Sequence, residues 1–100
     1  MDDNTKQQLI AQSWQIHSEV EQAYRAHPAS DHDPLWLEKQ RLLLADMAMH
    51  LLQTALGTQA LNQDALRNNL HAILTVSDAF LPHAKLKQAT AHLHQDSLDN

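Results

Sequence analysis

Cysteine is absent from this 100-residue sequence, and glycine and aromatic residues are scarce. Without cysteine the chain can form no disulfide framework, no thiolate zinc site and no cysteine nucleophile. A single glycine, with few β-branched residues, disfavours a β-sandwich or barrel, because those folds need frequent turns. No apolar run approaches the roughly 20 residues of a membrane span, and the acidic start is unlike a signal peptide. We therefore expect a cytoplasmic protein with one domain over residues 1–100.

The charge balance is acidic: twelve Asp and Glu residues outnumber seven Lys and Arg, for a formal net charge of −5. This balance disfavours generic nucleic-acid binding, because no cluster of basic side chains is available to contact phosphates. The chain is rich in alanine, leucine and glutamine, which favour helices.

Three breaks in the apolar pattern, at 27–34, 57–62 and 77–82, separate four segments with helical periodicity. The predicted helices cover about 5–26, 34–56, 62–76 and 82–94, with frayed termini. We expect an all-α fold, a small antiparallel bundle of three to four helices.

The ends of these helices have recognisable capping residues. Asn4 or Thr5 is expected to cap the first helix. Asp33 is expected to cap the second, and Gly57 to end it in a left-handed conformation. Asn62 is expected to cap the third helix.

The second helix is apolar around most of its circumference. Its polar positions form one narrow stripe, expected to face solvent: Lys39, Asp46, His50 and Gln53. Three neighbouring helices of a short chain leave part of such a surface uncovered, which predicts a homodimer formed through this helix. The alternative is that it is the central helix of a monomeric bundle. The predicted dimer or partner interface consists of Leu44, Met47, Ala48, Leu51 and Ala55.

Eight histidines raise the question of a metal site. No two of them stand at the i, i+4 spacing that lets a helix present two ligands to one ion. Asp46 and His50 have that spacing, and we interpret them as a surface ion pair. His17 is interpreted as a residue at the edge of the core. No Walker loop, dinucleotide fingerprint or nucleophile elbow is present, so neither catalytic residues, metal ligands nor cofactors are predicted.

The third helix offers an alternative function. After the turn that contains Gly57, its polar face carries Arg67, Asn68 and His71, which could contact bases in a DNA groove. Phosphate-binding residues around them are few, so a solvated helix face is the expected interpretation.

From Leu42 onward the pattern resembles the small enterobacterial two-component-system connector proteins of the biofilm development regulator family. The resemblance rests on an apolar helix, a glycine-containing turn, a leucine-rich helix and a Ser-Asp break before a last helix. The matching positions are Leu51-Leu52 to Gly57, Leu61-Asn62, Leu66, Leu70 to Leu74, Ser77-Asp78 and Leu86 to Leu93. The first helix is longer and richer in glutamine here, and the leucine spacing after the glycine is offset by one. The resemblance implies a dimeric, all-helical bacterial protein that modulates a regulatory protein and carries no active site.

The sequence thus predicts a non-enzymatic helical interaction protein that acts as a regulator, adaptor or chaperone. Its expected partners are a second copy of itself and a regulatory or client protein. Two alternatives stay open: a DNA-binding regulator that uses the third helix, and a histidine-based sensor of metal or pH.

Overall fold

The computed structural model of the chain describes residues 1–57 and 60–98, with side chains up to residue 93. Four helices account for most of these residues: α1 (Asp3–Ala26), α2 (Trp36–Ala55), α3 (Gln63–Asp78) and α4 (Leu86–Leu98). No strand occurs in the described ranges, so the all-α prediction is confirmed there.

Helix α1 begins earlier than predicted because Asp2, rather than Asn4 or Thr5, is its cap. An Asp2 carboxylate oxygen accepts a hydrogen bond from the Thr5 backbone N–H at 2.7 Å. The helix ends before His27, whose backbone N–H donates to the Tyr24 carbonyl. The proline that follows His27 disfavours further helix, as predicted.

Helix α2 is shorter than predicted at its start. The Asp33 carboxylate accepts from the Leu35 backbone N–H at 2.8 Å, and the Asp33 carbonyl accepts from the Trp36 backbone N–H. Asp33 therefore closes a turn ahead of the helix, and the true cap, Leu35, has no side-chain hydrogen bond. The left-handed conformation predicted for Gly57 is wrong, because the glycine does not have a positive φ.

Helix α3 begins as predicted, and α4 does not. The Asn62 side chain accepts from the Ala65 backbone N–H at 3.0 Å, which confirms the predicted cap. Helix α4 starts at Leu86 instead of near Pro82, because Lys85 has a φ of 56° and this left-handed residue interrupts the helix. It continues to Leu98 instead of ending near residue 94, and residues 99 and 100 lie outside the described part.

Each helix packs against its neighbours in sequence: α1 on α2, α2 on α3, and α3 on α4. Among the described residues, α1 does not contact α3, and α4 contacts neither α1 nor α2. The molecule measures 44 × 37 × 17 Å along its principal axes. The helices of one chain therefore form an open, flattened array.

This array covers few apolar side chains completely. Ala29 is the only apolar residue of the described part that is buried, whereas Ser13, Gln40, Asp46 and Thr90 are buried polar residues.

None of the described helices combines the length and the hydropathy that a membrane span requires. The best-covered contact, between α1 and α2, is accordingly polar, and it positions the candidate site.

Candidate functional site at the contact between α1 and α2

A row of polar side chains lies where α1 meets α2, and we call it the polar seam. It is made of Ser13 and His17 from α1 and of Asp46, His50 and Gln53 from α2. The Gln53 amide donates to the Ser13 hydroxyl at 3.2 Å, and this hydroxyl donates to the Ile10 carbonyl. Nδ1 of His17 forms a hydrogen bond with a carboxylate oxygen of Asp46. These bonds satisfy polar groups that the helix contact removes from water.

The predicted position of the α2 polar stripe is therefore wrong. Asp46 was expected to face solvent, yet it retains only 7% of its exposure because α1 lies over it. His50 is half-buried, and Gln53 bonds across to α1. Lys39, at the start of the stripe, donates to the Ala29 carbonyl and lies 4.9 Å from the centre of the Tyr24 ring.

His17 lies between two carboxylates. Its Nδ1 faces Asp46, and its Nε2 lies 3.3 Å from a carboxylate oxygen of Glu21, one turn further along α1. Arg25 forms an ion pair with the other oxygen of Glu21. Arg25 is largely exposed, so water screens its positive charge. It therefore offsets the negative charges of Asp46 and Glu21 only weakly. His17 does sit at the edge of the covered region, as predicted, with a side chain that is 14% exposed.

The second histidine of the seam, His50, stands beside the first. The two rings are 4.6 Å apart between centroids, and Nε2 of His50 lies 3.8 Å from the second oxygen of Asp46. Trp14 packs edge-on against both rings, with centroids 5.5 Å from His17 and 6.3 Å from His50. Since Trp14 is itself half exposed, the pair of histidines lies just below the surface.

His17, Asp46 and His50 each offer one ligand atom, and these atoms all lie within 4.8 Å of one another. The spacing along α2 pairs Asp46 with His50, but it gives no sign of His17, which is 29 residues away from Asp46 in the sequence. Only the packing of α1 on α2 brings this third group into place. One feature of the sequence did point to His17: it lies on the apolar side of the first helix. That position indicates an imidazole that faces inward.

The predicted interface residues of α2 lie away from the polar seam. An α-helix turns by about 100° per residue. Around the axis of α2, the angle from Asp46 is therefore roughly 140–160° for Leu44, Ala48 and Leu51, and Ala55 lies on the opposite side. Ala48 and Ala55 are exposed, and Leu44 and Leu51 are half-buried. Met47 lies to one side, in line with Thr54, whose hydroxyl donates to Asn69 of α3.

The residues considered for DNA contact lie together on α3. Arg67 donates to the Asp64 carboxylate at 2.9 Å, and its side chain is only 20% exposed because it lies along the groove between α3 and α4. Asn68 and His71 are exposed. The arginine of this group is therefore already paired with Asp64 and largely covered.

The groove between α3 and α4 is a second candidate surface, besides the polar seam. It has a volume of about 370 Å³ and is open to solvent along one side. Its apolar lining comes from Leu61, Leu66, Leu70 and Leu93. Leu61 remains half exposed, so this groove adds to the apolar surface that a single chain leaves uncovered.

Comparisons with protein-family models, curated proteins and solved structures found no match to this chain. The resemblance to connector proteins therefore stays a prediction from the sequence.

Proposed function

We propose that this chain is a non-enzymatic helical interaction protein whose first partner is a second copy of itself. The dimer completes the bundle that one chain leaves open, and it acts as a regulator, adaptor or chaperone toward another protein. The observation that carries the proposal is the excess of exposed surface on a single chain.

The surface of the isolated chain is too large for a compact monomer. Its accessible area is 7102 Å², whereas a folded monomer of 11.3 kDa is expected to expose about 5,700 Å². The radius of gyration, 15.5 Å, likewise exceeds the roughly 13 Å of a compact domain of this length. The excess of about 1,400 Å² is larger than the roughly 800 Å² that each partner contributes to a standard interface.

Helix α2 provides the surface best suited to a second copy. Leu37, Leu44, Ala48, Leu51 and Ala55 follow one another at intervals of seven, four, three and four residues, and we call them the outer face of α2. This spacing places them on one side of the helix, opposite the polar seam. Leu37, Ala48 and Ala55 are exposed, and the small alanines permit close approach of a symmetry-related helix. A two-fold contact between two outer faces buries them both.

The proposal is tested by molar mass in solution, measured by light scattering after size exclusion. We expect a mass of about twice 11.3 kDa for the unaltered chain. Ala48→Glu places a charge on an exposed position of the outer face, so it should give a folded monomer. Leu44→Glu places a charge on a half-buried position of the same face and should also give a monomer.

Ala11→Glu is the matched control, because Ala11 is also an exposed helical alanine but lies on α1. It should leave the dimer intact. A monomeric unaltered chain, or a dimer that persists in a folded Ala48→Glu variant, contradicts the proposed assembly. Circular dichroism establishes that each variant retains its helices.

A further inference from the structure

We propose that His17, Asp46 and His50 form a binding site for a zinc ion that joins α1 to α2, with Glu21 beside Nε2 of His17 as an outer-shell acceptor. The site is independent of the proposed dimer, because it lies on the side of α2 opposite the outer face.

The two carboxylates that flank His17 favour a positive charge at this position. A neutral imidazole has one N–H, so it can donate to only one of the two carboxylates that flank it. The nitrogen without a proton then presents its lone pair beside a carboxylate oxygen, which is unfavourable. Either a second proton on the ring or a metal ion at one nitrogen removes this conflict. A divalent ion can do so because Nδ1 and an Asp46 oxygen both serve as its ligands, while the N–H at Nε2 donates to Glu21.

The donor set selects the kind of ion. Two imidazoles and a carboxylate suit zinc and its neighbours in the first transition row, whereas calcium and magnesium prefer oxygen ligands alone. Zinc holds nitrogen and oxygen at about 2.0–2.2 Å, so tetrahedral donor atoms lie about 3.4 Å apart. The three donor atoms, now within 4.8 Å of one another, need only modest side-chain rotations to reach that separation.

The burial of the cluster also fits a metal site. The Asp46 side chain is 9% exposed and that of His17 is 14% exposed, so these ligands are held by the helix contact. His50 is 33% exposed and leaves a path by which an ion and a water ligand can enter. Glu21 lies 3.3 Å from Nε2 of His17, so its carboxylate can accept a hydrogen bond from that N–H and orient the imidazole while Nδ1 binds the ion.

The position of the site gives metal binding a structural consequence. One ligand belongs to α1 and two belong to α2, so a bound ion connects the two helices across the polar seam. An ion that binds only the folded chain raises the temperature of unfolding by mass action.

The first experiment is a titration of the intact protein with zinc chloride at neutral pH, followed by calorimetry and by tryptophan fluorescence. A Trp36→Phe background leaves Trp14 as the only fluorophore of its kind, and its ring contacts both histidines. We expect one zinc ion per chain, a change in Trp14 emission that saturates at that ratio, and an increase in the unfolding temperature. Magnesium should produce none of these effects.

Variants then locate the site. Asp46→Asn and His50→Gln should each weaken zinc binding by at least about 10–100-fold, since the loss of an outer-shell partner alone has that effect. His83→Ala removes an exposed histidine from the loop before α4 and should leave the affinity unchanged.

If the unaltered, folded chain does not bind zinc, the proposal is wrong. It is also wrong if His50→Gln and His83→Ala lose affinity for zinc equally. If a cluster variant does not fold, histidine ring NMR signals of the unaltered chain decide. Zinc must then shift His17 and His50 before the other histidines, and a different order overturns the proposal.

Discussion

At the scale of single residues, the buried carboxylate of Asp46 is the group on which the α1–α2 contact depends. Its partner His17 comes from the other helix, and the pair takes the place that apolar side chains occupy in most helix contacts. A buried pair of this kind is specific but adds little net stability, because both groups are removed from water. Removing one member should therefore cost more than removing both.

Replacing His17 with leucine should test this balance. His17→Leu leaves the Asp46 carboxylate buried without its hydrogen bond, so we expect the free energy of unfolding to fall by about 1–3 kcal/mol. His17→Leu combined with Asp46→Leu should recover most of that loss, because a packed apolar pair replaces the polar one. Urea denaturation at one protein concentration, without added metal, measures both. A double variant less stable than the single one contradicts the argument.

The cap of α1 should respond to pH. The backbone N–H and the hydroxyl of Thr5 hydrogen-bond to Asp2 and hold the pKa of its carboxyl below the ordinary value of 3.8. Because the lower pKa belongs to the folded state, the stabilisation is complete above pH 3.8 and is lost as the pH falls through that lower pKa.

The Thr5 amide signal in NMR should therefore move on acidification below pH 3.8. Asp2→Asn keeps an acceptor without a titrating group, so the same signal should lose that dependence. An identical titration in both proteins shows that Thr5 responds to something other than the cap.

At the scale of helices, the sequence predicts what repeats locally and misses what depends on packing. Caps at Asn62 and the break at Pro28 follow from local chemistry, and both are confirmed. The late start of α4 follows from the positive φ of Lys85, for which the sequence carries no signal. The spacing of Asp46 and His50 indicates that they share a face, but it cannot tell which element covers that face.

The cap of α3 gives the helix scale its own prediction. Asn62→Ala removes the acceptor of the Ala65 N–H, so we expect about 1 kcal/mol lower stability, whereas Asn62→Asp should retain the cap. Chemical denaturation at fixed protein concentration compares the three proteins. Equal stability of the alanine and aspartate variants contradicts a capping role for this side chain.

At the scale of the whole molecule, the composition and the open array both indicate that one chain leaves apolar surface without a partner. The sequence predicts that α2 has more apolar surface than its own chain covers, and in the described part of the chain α2 packs on α1 and α3 alone. The polar seam uses one side of α2, and α3 contacts a second side through Thr54. The third side, the outer face, is where a second chain is expected to add stability.

Thermal unfolding should therefore depend on protein concentration. When a dimer dissociates as it unfolds, mass action raises the midpoint temperature as the protein becomes more concentrated. The unaltered chain and Ala11→Glu should both show this rise, whereas Ala48→Glu should unfold at a lower temperature that does not change with concentration. Differential scanning calorimetry over a wide range of concentrations makes the comparison. A midpoint of the unaltered chain that stays constant over that range means that the outer face of α2 adds no stability through self-association. A different protein is then the candidate partner for the exposed surface.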